Sequence, residues 1–120
     1  MKDAPSHTVA ETSEFDRDAK AAGVSEDERR RIVESVAADP MGGVEVVGSG
    51  GVRKVRIAGR GKGKSGGYRI MVAYVGPAAP AYLLALLSKG ERSNFPDAEL
   101  KAMKALTSRL RDYWVTKKRS

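Results

Sequence analysis

The sequence predicts an α+β domain: a small antiparallel β-sheet packed with two N-terminal helices and a C-terminal helix. Three observations point there. Residues 52–58 alternate apolar and basic side chains, and 68–75 and 82–87 are apolar runs of strand length, with Gly- and Pro-containing segments between them. A capping-box signature at Ser25–Glu28 opens a helical pattern before those strands. After them, Leu100, Met103, Leu106 and Leu110 recur at helical spacing.

In order, the first element is a short strand over His7–Thr12, anchored by Val9. Phe15–Ala22 follows as a short helix stopped by Gly23. Ser25 then caps a second helix: its hydroxyl suits the N3 amide, Glu28 reaches back, and three acids in the first turn suit the helix dipole. Ile32, Val33, Val36 and Ala37 form its apolar stripe, and Asp39-Pro40 ends it. Arg29, Arg30 and Arg31 read as a solvated face balanced by Glu26, Asp27 and Glu34. Val44–Val47 is a loop or short extended piece between glycine pairs. In Val52–Ala58, Val55 and Ile57 face one side of a strand and Lys54 and Arg56 the other. Tyr68–Val75 is the next strand, 76–80 a turn, and Tyr82–Leu87 a central strand buried on both faces. Pro96 suits the first position of the last helix, Asp97–Trp114, and the basic tail beyond it is expected to fray. The expected order is thus β-α-α-β-β-β-α, with the helices on one face.

At 120 residues and 41% apolar, the chain reads as one domain over 1–120, with a core from about 8 to 114 and a basic tail at 115–120. Without cysteine there is no disulfide, thiolate-ligated zinc or thiol nucleophile. No apolar N-terminal run resembles a signal peptide and no run spans a bilayer, so a cytoplasmic protein without membrane contact is expected.

Charge carries the functional signal. Residues 1–45 hold eleven acids and six bases, whereas 46–90 hold eight bases and no acid. The densest part, Gly50–Arg69, contains Arg53, Lys54, Arg56, Arg60, Lys62, Lys64 and Arg69 around a glycine-rich loop. Such a segment repels itself, so its expected partner is anionic, with phosphate first among the candidates.

His7 stands alone near the start and is assigned no chemistry, and no carboxylate cluster in the basic centre suits a metal. Gly59–Gly66 has only a passing likeness to a phosphate-binding loop: the spacing fails, and a strand follows instead of a helix. What remains is phosphate chemistry by Arg and Lys without a cofactor. Guanidinium forks can neutralise a developing phosphorane, and a lysine crowded by cations can take or give a proton. Lys54, Arg56 and Arg69 can converge on one sheet face beneath the loop.

At these residues the chain resembles the RelE/ParE superfamily of type II toxins, and most closely the HigB-type branch of RelE-like toxins. The resemblance rests on Glu11-Thr12-x-x-Phe15, on Asp39-Pro40 with Gly43, and above all on Gly48-x-Gly50-Gly51-x-Arg53-Lys54-x-Arg56. Gly61-Lys62-Gly63-Lys64-Ser65-Gly66-Gly67-x-Arg69, then Lys89-x-Glu91 and the helix opening near Pro96, complete it. It implies a RelE-like fold and a ribosome-dependent mRNA endoribonuclease, an mRNA interferase that blocks translation. It also implies a cognate antitoxin, helix-turn-helix and HigA-like, through which alone operator DNA is met. By matching position the resemblance points to Lys54, Arg56, Lys62, Lys64, Arg69 and Lys89. Of these, Lys54, Arg56, Arg69 and Lys89 are the expected catalytic residues, and Lys62 and Lys64, with the further bases Arg53, Arg60 and Arg92, the expected RNA contacts. Gly90, Phe95 and Pro96 stand where some relatives carry arginine, tyrosine or histidine, so proton transfer falls to a lysine or to the ribosome. The alternatives are a ParE-like gyrase-inhibiting toxin and an inactive nucleic-acid- or antitoxin-binding module.

Overall fold

The computed structural model of the protein describes residues 7–58, 67–88 and 95–119. In chain order the elements are β1 (Val9–Glu11), α1 (Ser13–Ala21), α2 (Glu26–Ala38), β2 (Val44–Glu45), β3 (Val52–Ile57), β4 (Tyr68–Ala73), β5 (Ala81–Ser88) and α3 (Asp97–Arg119). The five strands make one sheet in the order β1-β5-β4-β3-β2.

The helix signals act where the sequence places them. Thr12 caps α1: its Oγ1 accepts from the Phe15 amide at 3.2 Å and donates to the Leu83 carbonyl at 2.8 Å, so the cap also fastens α1 to β5. At the far end, Gly23 takes φ +71°, and the Gly23 and Val24 amides close back on the Lys20 and Ala19 carbonyls. That geometry suits glycine, which has no Cβ to strain it. The Ser25–Glu28 capping box forms in both directions, at 3.1 and 3.0 Å. Glu28 Oε1 also accepts the Tyr68 hydroxyl at 3.0 Å, joining the start of α2 to β4.

Two expectations about the sheet are corrected. It is mixed, because β1 lies parallel to β5, with Val9 opposite Ala81 and Glu11 opposite Leu83, while the other pairings are antiparallel. The helices also cover both faces, not one. Phe15 and Ala19 of α1 and Ile32 and Val36 of α2 pack with Ile70, Val72, Ala81, Leu83 and Leu86. Leu100, Met103, Leu106 and Leu110 of α3 pack with Val52, Met71, Ala73, Leu84, Ala85 and Leu87 on the opposite face. Strand alternation alone divides Ile70 and Val72 from Met71 and Ala73. In β5 the alternation is interrupted: Met71 pairs with Ala85 but Val72 with Leu83, so Leu84 is an extra residue. Asp18 of α1 serves this irregularity, its Oδ2 accepting the Leu86 amide at 3.0 Å.

Boundaries shift modestly. The first strand shortens to three residues because Thr12 is taken as a helix cap, and α3 continues through the expected tail to Arg119, its basic end suiting the helix C-terminus. His7 also has a structural use: its Nε2 donates to the Ala79 carbonyl at 2.7 Å and its ring meets Tyr74 edge-on. Arg29 departs from the solvated-face reading. It bridges Glu11 and Asp16 while lying over the Phe15 ring.

Candidate functional site

The β3–β4 register brings the central cations together. Arg56 pairs with Arg69, Val55 with Ile70 and Lys54 with Met71. Val55, Ile57 and Ile70 belong to the face under α1 and α2, so the intervening Lys54, Arg56 and Arg69 project from the face that carries α3. Directly opposed residues on one face lie roughly 5 Å apart, and diagonal neighbours such as Lys54 and Arg69 roughly 7–8 Å. Three cations are therefore within reach of one phosphate group.

The direction of α3 decides what stays open. Arg111, in its second half, donates to the Gly50 carbonyl just before β3, whereas Asp97 and Leu100 at its start share a cleft with Lys54. The helix thus runs against β3 and begins near Lys54, and Arg56, further along the strand, is exposed. The cleft has a volume of about 260 Å³ and is lined by Val46, Lys54, Phe95, Asp97 and Leu100. It combines an apolar wall, one aromatic ring, one cation and one carboxylate. The helix N-terminus beside it adds a positive dipole end.

Asp97 is an addition that sequence reasoning missed, whereas Phe95, already noted there, proves to be a buried core residue. The basic centre contains no acid in sequence, but the fold brings in a carboxylate from α3. An acid in the first turn of a helix reads as a cap, and only the packing direction of α3 places it in the cleft.

Lys54 is positioned through its own backbone. Gly43, at φ +77°, lies so close to β3 that a Cβ there would come within 2.2 Å of the Lys54 carbonyl oxygen. Arg53 holds this turn in place: its Nε and Nη2 donate to the Gly42 and Gly43 carbonyls at 3.1 and 3.3 Å, and Nη1 lies 3.6 Å from Glu45. It projects from the face opposite Lys54, so the structure separates it from the other cations and gives it a supporting contact. Arg60, Lys62, Lys64, Lys89 and Arg92 lie outside the described residues.

Tyr68 adjoins Arg69 in sequence but points to the other face. Its phenol is pushed up in pKa by burial and by its hydrogen bond to Glu28, which removes it from proton transfer at the cation cluster. The arrangement as a whole can bind a phosphodiester and stabilise negative charge at phosphorus. Among the described residues no helix is long and apolar enough to cross a membrane. Residues 7–118 match the family model described as the RelE toxin of the RelE/RelB toxin–antitoxin system.

Proposed function

We propose, on the premise that this chain belongs to the RelE toxin family, that it is an endoribonuclease which cleaves mRNA on the ribosome. The family makes it a toxin of a toxin–antitoxin system, with an antitoxin as partner. The finer reading adds a cytoplasmic site of action, a HigB-like branch and a helix-turn-helix antitoxin. The observation that carries the ribonuclease reading is the pairing of Arg56 with Arg69, with Lys54 on the same face beside an open cleft.

The chemistry follows from RNA itself. The ribose 2′-oxygen attacks phosphorus, the bond to the 5′-oxygen breaks, and a 2′,3′-cyclic phosphate forms. One proton must leave the 2′-hydroxyl and one must reach the departing 5′-oxygen. Arg56 and Arg69 supply guanidinium forks to the non-bridging oxygens, where charge grows in the transition state. Lys54 and Asp97 are the side chains lining the cleft that can exchange protons, with Lys89 the further candidate by family position. Phe95, buried in the core beneath α3, supports the floor of this cleft and is not a stacking surface.

This acid–base equipment is thin, so alignment of the substrate must supply much of the rate. In-line orientation alone can contribute several kcal/mol, and a ribosome holding the message in place provides it. Primer extension on an mRNA, with and without translating ribosomes, tests the reading. Strong cuts are expected only with ribosomes and are expected to be absent for Arg69→Ala. Equal cleavage in both tubes would make the protein a free ribonuclease. No cleavage in either, with DNA damage on induction, would move it to gyrase inhibition.

A further inference from the structure

The C-terminal half of α3 carries a surface that neither the core nor the cleft accounts for. Residues 108–119 hold five bases and one acid, Asp112. Met103, Leu106, Leu110 and Trp114 turn toward the sheet, and the Trp114 Nε1 is fixed by donation to the Tyr82 hydroxyl at 2.9 Å. Tyr113 is different: it is 54% exposed, stands edge-on to Trp114 at 5.3 Å, and has the Lys117 ammonium 5.9 Å from its ring centre. Arg109, Tyr113 and Lys117 are spaced four residues apart and so fall on one helix face, where with Asp112 and Thr116 they line an open hollow of about 550 Å³.

We propose that this hollow is a second contact for single-stranded RNA, with a base stacked on Tyr113 and the flanking phosphates held by Arg109 and Lys117. An exposed aromatic ring between cations is the combination that single-stranded nucleic acid requires, because every base has a face to stack and every nucleotide a charge to neutralise. At about 1.5 Å per residue, Tyr113 lies roughly 24 Å along α3 from Asp97, too far to belong to the cleft. The patch extends the RNA reading above to a place where no cleavage occurs, and it would hold a strand whether or not the cleft cuts it.

Trp114 is the only tryptophan of the chain and reports on its neighbour. Titration of the full chain with a twelve-nucleotide oligouridylate should change Trp114 emission. Tyr113→Ala should abolish that change and weaken binding about tenfold, near the low end of what base–aromatic stacking contributes. Tyr113→Phe should retain both, and replacing Arg109 and Lys117 together by Ala should flatten the salt dependence of binding. Arg69→Ala, although defective in cleavage, should keep the full emission change, so the patch and the cleft fail independently. Equal affinity of wild type and Tyr113→Ala for the oligonucleotide would overturn the proposal. So would an equal emission change with polyglutamate, which would make the hollow a surface for acidic protein.

Discussion

Arg56 and Arg69 face each other across two strands, and like charges so placed destabilise a sheet by roughly 0.2–1 kcal/mol. A phosphate between them would turn that repulsion into a binding force. Arg56→Thr should therefore leave stability unchanged or raise it by several tenths of a kcal/mol, with a β-branched residue in its place. The same variant should lose cleavage, and urea midpoints set beside toxicity assays check the two effects. For Arg69→Ala, loss of a transition-state fork costs on the order of 3 kcal/mol, a hundredfold or more in rate. Growth arrest persisting at normal protein level would remove Arg69 from the site.

Two aspartates of α1 respond to pH in opposite senses. Hydrogen bonds from Arg29 and then Lys20 hold Asp16 below its ordinary value of 3.8, so its stabilising contribution is present above that pH and lost as pH falls through the depressed value. Asp16→Asn should then be less stable than wild type at neutral pH, with the gap closing in acid. Burial pushes Asp18 above 3.8, so its ionisation weighs against the fold as pH rises through the raised value, although the Leu86 amide partly offsets this. Thermal melts between pH 2.5 and 7 separate the two.

At the scale of elements, the turn into β2 governs the site more than its exposed position suggests. Gly43 and Gly48 both have positive φ, but only Gly43 has backbone within reach of an added Cβ. Gly48→Ala should cost about 1 kcal/mol of backbone strain, whereas Gly43→Ala adds a clash with the Lys54 carbonyl and should cost clearly more. It should also reduce cleavage beyond its effect on stability, because β3 must shift where Lys54 sits. Chemical denaturation of the two variants, compared side by side, decides the point.

The same scale shows what was legible. Ser25, Glu28 and Gly23 act locally, and local chemistry is readable: the cap, the box and the stop all appear where the residues stand. The alternation of Val55 and Ile57 with Lys54 and Arg56 likewise sufficed to put the cations on one face. The extra residue at Leu84 was not legible, because six consecutive apolar side chains have no period to interrupt. Nor was the parallel seat of β1, since three residues with one branched apolar side chain say nothing about direction. A helix on each face was implicit in the continuously apolar β5, which needs cover on both sides; the one-face sketch overlooked it. Asp97 escaped notice because its proximity to Lys54 depends on α3 running against β3.

Across the whole molecule, charge is divided by sequence as well as by surface. The first 45 residues are net acidic and supply α1 and α2 on one face, while the 45 that follow carry eight bases, no acid and the cation cluster. An antitoxin that silences this toxin has most to gain by neutralising the basic side, since that would both relieve self-repulsion and occlude phosphate. We therefore expect an acidic antitoxin segment over or near Lys54, Arg56 and Arg69, with affinity that falls as salt rises. Exposed pairs are screened over about 8–10 Å at physiological ionic strength, and the effect is steeper in a cluster than in a single pair. Titration calorimetry of the toxin–antitoxin pair between 50 mM and 500 mM salt measures it. Affinity independent of salt over that range would place the antitoxin on an apolar surface instead, such as the groove bounded by Leu84, Met103 and Leu106. A toxin held there would keep its cations open to RNA, so inhibition would have to act by blocking access to the ribosome and not by filling the site.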